Sequence, residues 1–103
     1  MNIGLGTVQL GTDYGVTNAG GRVAPDEARR IITAACAAGV QVFDTAAAYG
    51  EAERLLGECL PRDGEARIVT RLPHLPRAIT PSAVHTWAEA ACTASLQRLG
   101  RDA

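Results

Sequence analysis

A chain of 103 residues, 47% apolar and 20% charged, supports one small hydrophobic core and a single domain over residues 1–103. A formal net charge of -1 gives no electrostatic pull toward nucleic acid or an anionic membrane surface, which excludes both as partners on these grounds. All ten basic residues are arginine, so no reaction carried by these residues uses a lysine.

The N-terminus, Met1-Asn2-Ile3-Gly4-Leu5-Gly6, has neither a basic segment nor a long apolar stretch. No secretory signal is expected, and a cytoplasmic location follows. Ile3 to Gln9 reads as a short strand, and the Gly-rich, turn-prone stretch Gly11 to Gly21 as a long loop. Pro25 suits the first turn of a helix, and Asp26 and Glu27 suit its positive end. Apolar residues recur at Ala28, Ile31, Ile32, Ala35 and Ala38, and Gly39 ends the helix.

Val40 to Phe43 is rich in β-formers and reads as the second strand. The helix after it starts near Glu51, with Leu55, Leu56, Cys59 and Leu60 as its apolar stripe and Pro61 as its stop. Arg67 to Leu72 reads as the third strand, and Pro73-His74-Leu75-Pro76 as a loop in which two prolines prevent regular structure. Thr80 is placed to cap a last helix with Pro81 at its first position, running through Val84, Trp87, Ala88, Ala91, Ser95 and Leu99 to Gly100. Cys36, Cys59 and Cys92 are far apart and lack a histidine at ligand spacing, so they are expected on buried helix faces, without disulfide or metal.

Strands alternating with helices imply parallel strands joined by right-handed crossovers, in an open doubly wound sheet or in part of a barrel. In either architecture chemistry collects where strands run into helices. The second strand ends there on Asp44, and a short loop then presents Tyr49. Taken singly, Asp44 is explained as a cap for free backbone N–H groups and Tyr49 as loop packing; together they read as half of an active site. Gly4-Leu5-Gly6 does not make a dinucleotide fingerprint, because Gln9 stands where a third glycine belongs and Asp44 lies too far downstream.

Four segments in order resemble the aldo/keto reductase superfamily. They are Gly4-Leu5-Gly6-Thr7-Val8-Gln9-Leu10-Gly11, like its first barrel strand; Asp44-Thr45-Ala46-Ala47-Ala48-Tyr49-Gly50, like its D-T-A-x-x-Y-G signature; Glu53-Arg54-Leu55-Leu56-Gly57, like its E-x-x-L-G helix; and Ser95-Leu96-Gln97-Arg98-Leu99-Gly100, like its S-L-x-x-L-G helix end. Asp13-Tyr14-Gly15-Val16-Thr17-Asn18 is similar to a bacterial branch. The resemblance implies an α/β fold comprising about three of the eight units of a (β/α)8 barrel, since such a barrel takes about 250 residues.

It also implies NADPH as cofactor and the reduction of an aldehyde or ketone to an alcohol. On this mapping Tyr49 is the general acid, Asp44 holds the activating cation near the nicotinamide ribose, and Gly6 and Thr7 line the nicotinamide end of the cofactor site. A free phenol titrates near pH 10 and needs a nearby cation to act as a proton donor at neutral pH. The family's I-x-T-K strand is here Ile68-Val69-Thr70-Arg71, so Arg71 stands in the lysine's place, and impaired chemistry is expected from its larger planar head.

The fourth strand and its substrate-orienting histidine lie outside these residues. His74, in the third strand's loop between two prolines, is weighed as facing the site against the commoner reading of a solvated loop histidine, and His85 is expected on an outer helix surface. The 103 residues alone are therefore expected to be inactive, with open sheet edges that favour self-association. The alternatives are a non-catalytic barrel remnant acting as an association module, and a free-standing α/β binding protein unrelated to the family.

Overall fold

The structure, a computed structural model, describes residues 2–15 and 19–103. Val16, Thr17 and Asn18, the last three residues of the Asp13–Asn18 segment, lie outside the described residues. In chain order the elements are β1 (Gly4–Gly6), α1 (Val8–Gly11), α2 (Pro25–Ala37), β2 (Val42–Asp44), α3 (Ala52–Cys59), β3 (Arg67–Val69), a 3-10 turn (Pro81–Ala83) and α4 (Val84–Leu99). The three strands form one parallel sheet in the order β1-β2-β3.

Register explains which side chains are buried. Leu5, Phe43 and Ile68 lie abreast across the sheet. Because side chains alternate along a strand, this row faces the helices, where Phe43 is fully buried among Ile32, Leu55 and Leu56. The rows Gly4-Val42-Arg67 and Gly6-Asp44-Val69 face the other way, and Val42 and Val69 are exposed there. A parallel sheet is ordinarily covered on both faces; this one is covered by its helices on one.

The chain leaves the first strand earlier than its sequence suggests. Val8, Gln9 and Leu10 belong to α1, not to an extended strand from Ile3 to Gln9. Thr7 closes the ladder with its own N–H on the Asp44 carbonyl, and Leu10 N–H then donates to the Thr7 carbonyl, which starts a turn. The third ladder stops at Val69 and not Leu72, and the second occupies Val42–Asp44 instead of starting at Val40.

Thr80 does not cap a helix with its side chain. Its hydroxyl pairs with that of Ser82 across the 3-10 turn, and α4 begins only at Val84. Nor are all three cysteines buried: Cys36 and Cys59 are partly covered, while Cys92 lies on the exposed side of α4. Among the described residues, no helix is long and apolar enough to cross a membrane.

Two glycines fix how the layers meet. A methyl group on Gly57 of α3 would stand 2.5 Å from the Arg98 carbonyl oxygen, so only glycine allows α3 this close to the last turn of α4. Gly100 ends α4 in the left-handed conformation, φ 62°, with its N–H on the Gln97 carbonyl. Arg101 then donates to the carbonyls of Leu60 and Pro61, which ties the C-terminal ends of α3 and α4 together.

Candidate active site

Asp44 ends the central strand, and backbone pairing beyond it assembles the site. Its carbonyl accepts from both the N–H and the hydroxyl of Thr7, each at 3.0 Å. Past the ladder, Thr45 N–H donates to the Val69 carbonyl at 2.8 Å and Ala47 N–H to the Arg71 carbonyl at 3.0 Å. These bonds continue the two-residue spacing of the ladder and carry Arg71 alongside the loop that holds Tyr49.

Tyr49 sits in a tight turn, its N–H on the Ala46 carbonyl and its own carbonyl accepting from Ala52 N–H, both at 3.0 Å. Gly11 packs directly on this turn: a methyl group there would fall 1.6 Å from the Tyr49 carbonyl oxygen. Gly50, with φ +53°, meets the Gly11 carbonyl from the other side. The backbone of α1 thus packs directly on the loop that carries Tyr49.

Arg71 joins the group. Its Nη2 donates to Asp44 Oδ2 at 2.7 Å and to Tyr49 Oη at 3.0 Å, and the guanidinium carbon lies 5.4 Å from the centre of the Tyr49 ring. Arginine has no acceptor, so the phenol oxygen must accept this bond. The phenol's own hydrogen is then free for another acceptor. The Arg71 and Asp44 side chains are 56% and 45% exposed, so their ion pair adds little stability; what it does is fix the three groups relative to one another.

Gly6 lies in register beside Asp44, and a methyl group there would meet no other atom within 4 Å. Thr7 is wholly buried, with its hydroxyl on the Asp44 carbonyl. His74 lies exposed in the third loop, and His85 is exposed on α4, 3.2 Å from Glu89. Among the described residues, no cluster of three or more His, Cys, Asp or Glu side chains is arranged to hold a metal ion.

Glu53 is a residue to which sequence reasoning gave no role. It is 1% exposed, and accepts from Thr70 Oγ1 and from Arg98 Nε, each at 2.6 Å, which joins α3 and α4 to the residue just past β3. Burial by itself raises a carboxyl's pKa, but the bonds from Thr70, Arg98 and Ser95 outweigh it and hold Glu53 below the usual glutamate range. Thr70 directly precedes Arg71, so this brace sets the course of the strand end that carries the cation. The signal was present in the sequence as the glutamate of the E-x-x-L-G segment, but its partners lie 17 and 45 residues away.

The sequence profile of the aldo/keto reductase family matches residues 2–103. This chain belongs to the aldo/keto reductase family. A Mycolicibacterium smegmatis aldo-keto reductase is 40% identical over 87 residues, which are 80% of this chain and 28% of that protein. An uncharacterized oxidoreductase of Mycobacterium tuberculosis is 41% identical over 85 residues, covering 80% of this chain and 25% of its own length. Among solved structures, a Pseudomonas aeruginosa protein assigned to the aldo-keto reductases superposes with a TM-score of 0.72 at 30% identity, covering 96% of this chain and 38% of that one. The aldo/keto reductase chain described here thus spans a quarter to two fifths of these relatives, and its three parallel strands with their helices match the N-terminal part of their barrel.

Proposed function

We propose that these residues carry the proton-donating half of an NADPH-dependent carbonyl reductase site. One observation supports this above the others: a single nitrogen of Arg71 lies within hydrogen-bond distance of both the Asp44 carboxylate and the Tyr49 hydroxyl. Tyr49 gives its proton to the oxygen of an aldehyde or ketone as that oxygen gains negative charge. Arg71 donates to the same phenol oxygen throughout, so a positive charge stands beside the atom that becomes phenolate. Asp44 holds Arg71 in that position and offers its remaining carboxylate oxygen toward the cofactor's ribose. NADPH, when bound, supplies the hydride that the carbonyl carbon receives.

Family membership and the open ledge at Gly6 support NADPH as the cofactor. Gly6→Ala should leave thermal stability nearly unchanged, because the added methyl meets no atom of this chain, while weakening NADPH binding by taking up space beside Asp44. Equal affinity in the two proteins by fluorescence titration would remove Gly6 from the cofactor site.

Residues 1–103 by themselves should bind NADPH weakly but saturably and show no aldehyde-dependent oxidation of it above the buffer rate. A full rate for the isolated 103 residues would contradict this reading. The exposed sheet face favours a second one, in which the segment is a barrel remnant that associates with other polypeptides. No saturable change in NADPH fluorescence, with the chain sedimenting as an oligomer, would select it.

A further inference from the structure

We infer that Arg71 makes this site selective for a carbonyl compound bearing a carboxylate on the neighbouring carbon, a 2-oxo acid. The inference rests on the reductase reading above, since it takes the substrate carbonyl to sit at the Tyr49 hydroxyl.

Arg71 performs its two contacts within the site through one nitrogen. Nη2 carries two hydrogens, and Asp44 Oδ2 and Tyr49 Oη accept from it. Three further N–H groups remain, two on Nη1 and one on Nε, and among the described residues none of them meets an acceptor. The side chain is 56% exposed, so these donors are open to a ligand. A lysine ammonium in this position would concentrate its hydrogens on one atom already turned to the aspartate and the phenol. The guanidinium instead extends fixed donors past the contact point.

The geometry then relates two parts of one ligand. A carbonyl oxygen that accepts from Tyr49 lies within one hydrogen bond of a phenol oxygen only 3.0 Å from the guanidinium. A carboxylate attached directly to the carbonyl carbon then lies close to the same guanidinium, whose Nη1 and Nε hydrogens take no acceptor among the described residues. Asp44 is the opposing charge here, and its pairing with Nη2 at 2.7 Å limits its repulsion of an incoming carboxylate. The Asp44–Arg71 pair is close to neutral overall, so recognition comes from short directed bonds, and affinity for the isolated carboxylate group is modest.

The probe is oxamate, which places a carbonyl next to a carboxylate, with oxamide as its uncharged isostere and no cofactor present. The readout is the NMR signal of the Tyr49 ring, one of only two tyrosines in the chain. Oxamate should shift this signal saturably and bind about tenfold more tightly than oxamide, the scale of one charge-assisted hydrogen bond. Arg71→Lys, which keeps the charge but removes the extended donors, should abolish that preference while its Tyr49 signal stays dispersed. Equal binding of oxamate and oxamide, a preference retained in Arg71→Lys, or the same shift from chloride at matched ionic strength would each overturn the inference. Saturable NADPH binding without oxamate binding overturns it and leaves the reductase reading intact. Oxamate binding without NADPH binding overturns the reductase reading instead and leaves a carboxylate site.

Discussion

Gly11→Ala should lower the melting temperature of this chain by more than about 10 °C and disconnect Tyr49 from Arg71, although it adds a single methyl group and strains no dihedral. The reason is the 1.6 Å separation that the new carbon would have from the Tyr49 carbonyl oxygen, with the Tyr49 carbonyl carbon at 2.6 Å and Ala52 N at 3.2 Å. All three are backbone atoms, so no side-chain rotation relieves the collision, and the second loop itself must move. Overpacking of this kind costs about 3 kcal/mol, which in a domain of this size corresponds to a fall of about 12 °C or more. A movement of about 1 Å at the phenol is also enough to reduce a proton transfer a hundredfold. Calorimetry gives the first quantity, and loss of the Tyr49 ring's contact with the guanidinium in NMR gives the second. An alanine variant that melts within 2 °C of the parent would show that the two loops are not in backbone contact.

Glu53→Gln should destabilise the chain by about 2 to 3 kcal/mol, which exceeds the effect of neutralising any surface ion pair here. Glutamine fills the same space, and its amide N–H can turn to donate to Thr70 Oγ1, but it carries no charge, so Arg98 loses its charge-assisted partner and Thr70 must reverse its bond. Arg98 is 38% exposed and recovers part of its hydration, which keeps the loss below that for a fully buried pair. Urea unfolding at neutral pH measures the difference. The same variant has a pH signature. Because Glu53 is held below the usual range in the folded state, the unfolded chain binds more protons in acid, and the stabilisation is lost as pH falls below about 4.3. The parent's stability should therefore drop more steeply than the variant's as the solution is acidified, and the two curves should converge. Parallel curves would mean that Glu53 titrates alike in the folded and unfolded chains, so that the bonds from Thr70 and Arg98 do not favour its ionised form.

The two effects have different histories in the sequence. Local periodicity located every crossover helix, because Ile32, Leu55 and Leu56 recur at helical spacing and the flanking Pro25, Gly39 and Pro61 mark ends. It failed where tertiary pairing overrides local preference. Val8 and Gln9 look like a continuing strand, yet Thr7 completes its bonds on Asp44 and the chain turns. Thr80 looks like a cap, yet its hydroxyl finds Ser82. Cys92 looks like a core residue, yet its side of α4 has no neighbour among the described residues that buries it.

For the site, the sequence by itself determined which groups are present: the carboxylate at the end of the second strand, the phenol after it, and an arginine in the third strand where the family carries lysine. Those identities follow from motif and strand position, which are local in the chain. Only the tertiary structure decided that one nitrogen of Arg71 serves both Asp44 and Tyr49, that Gly11 holds the Tyr49 turn by backbone contact, and that Glu53 braces the strand end beside the cation. Each of these joins residues between 17 and 45 positions apart, on separate strands, loops and helices. Such contacts are set by sheet register and by how closely helices and loops can approach, which depend on every element at once and leave no periodic trace in the sequence.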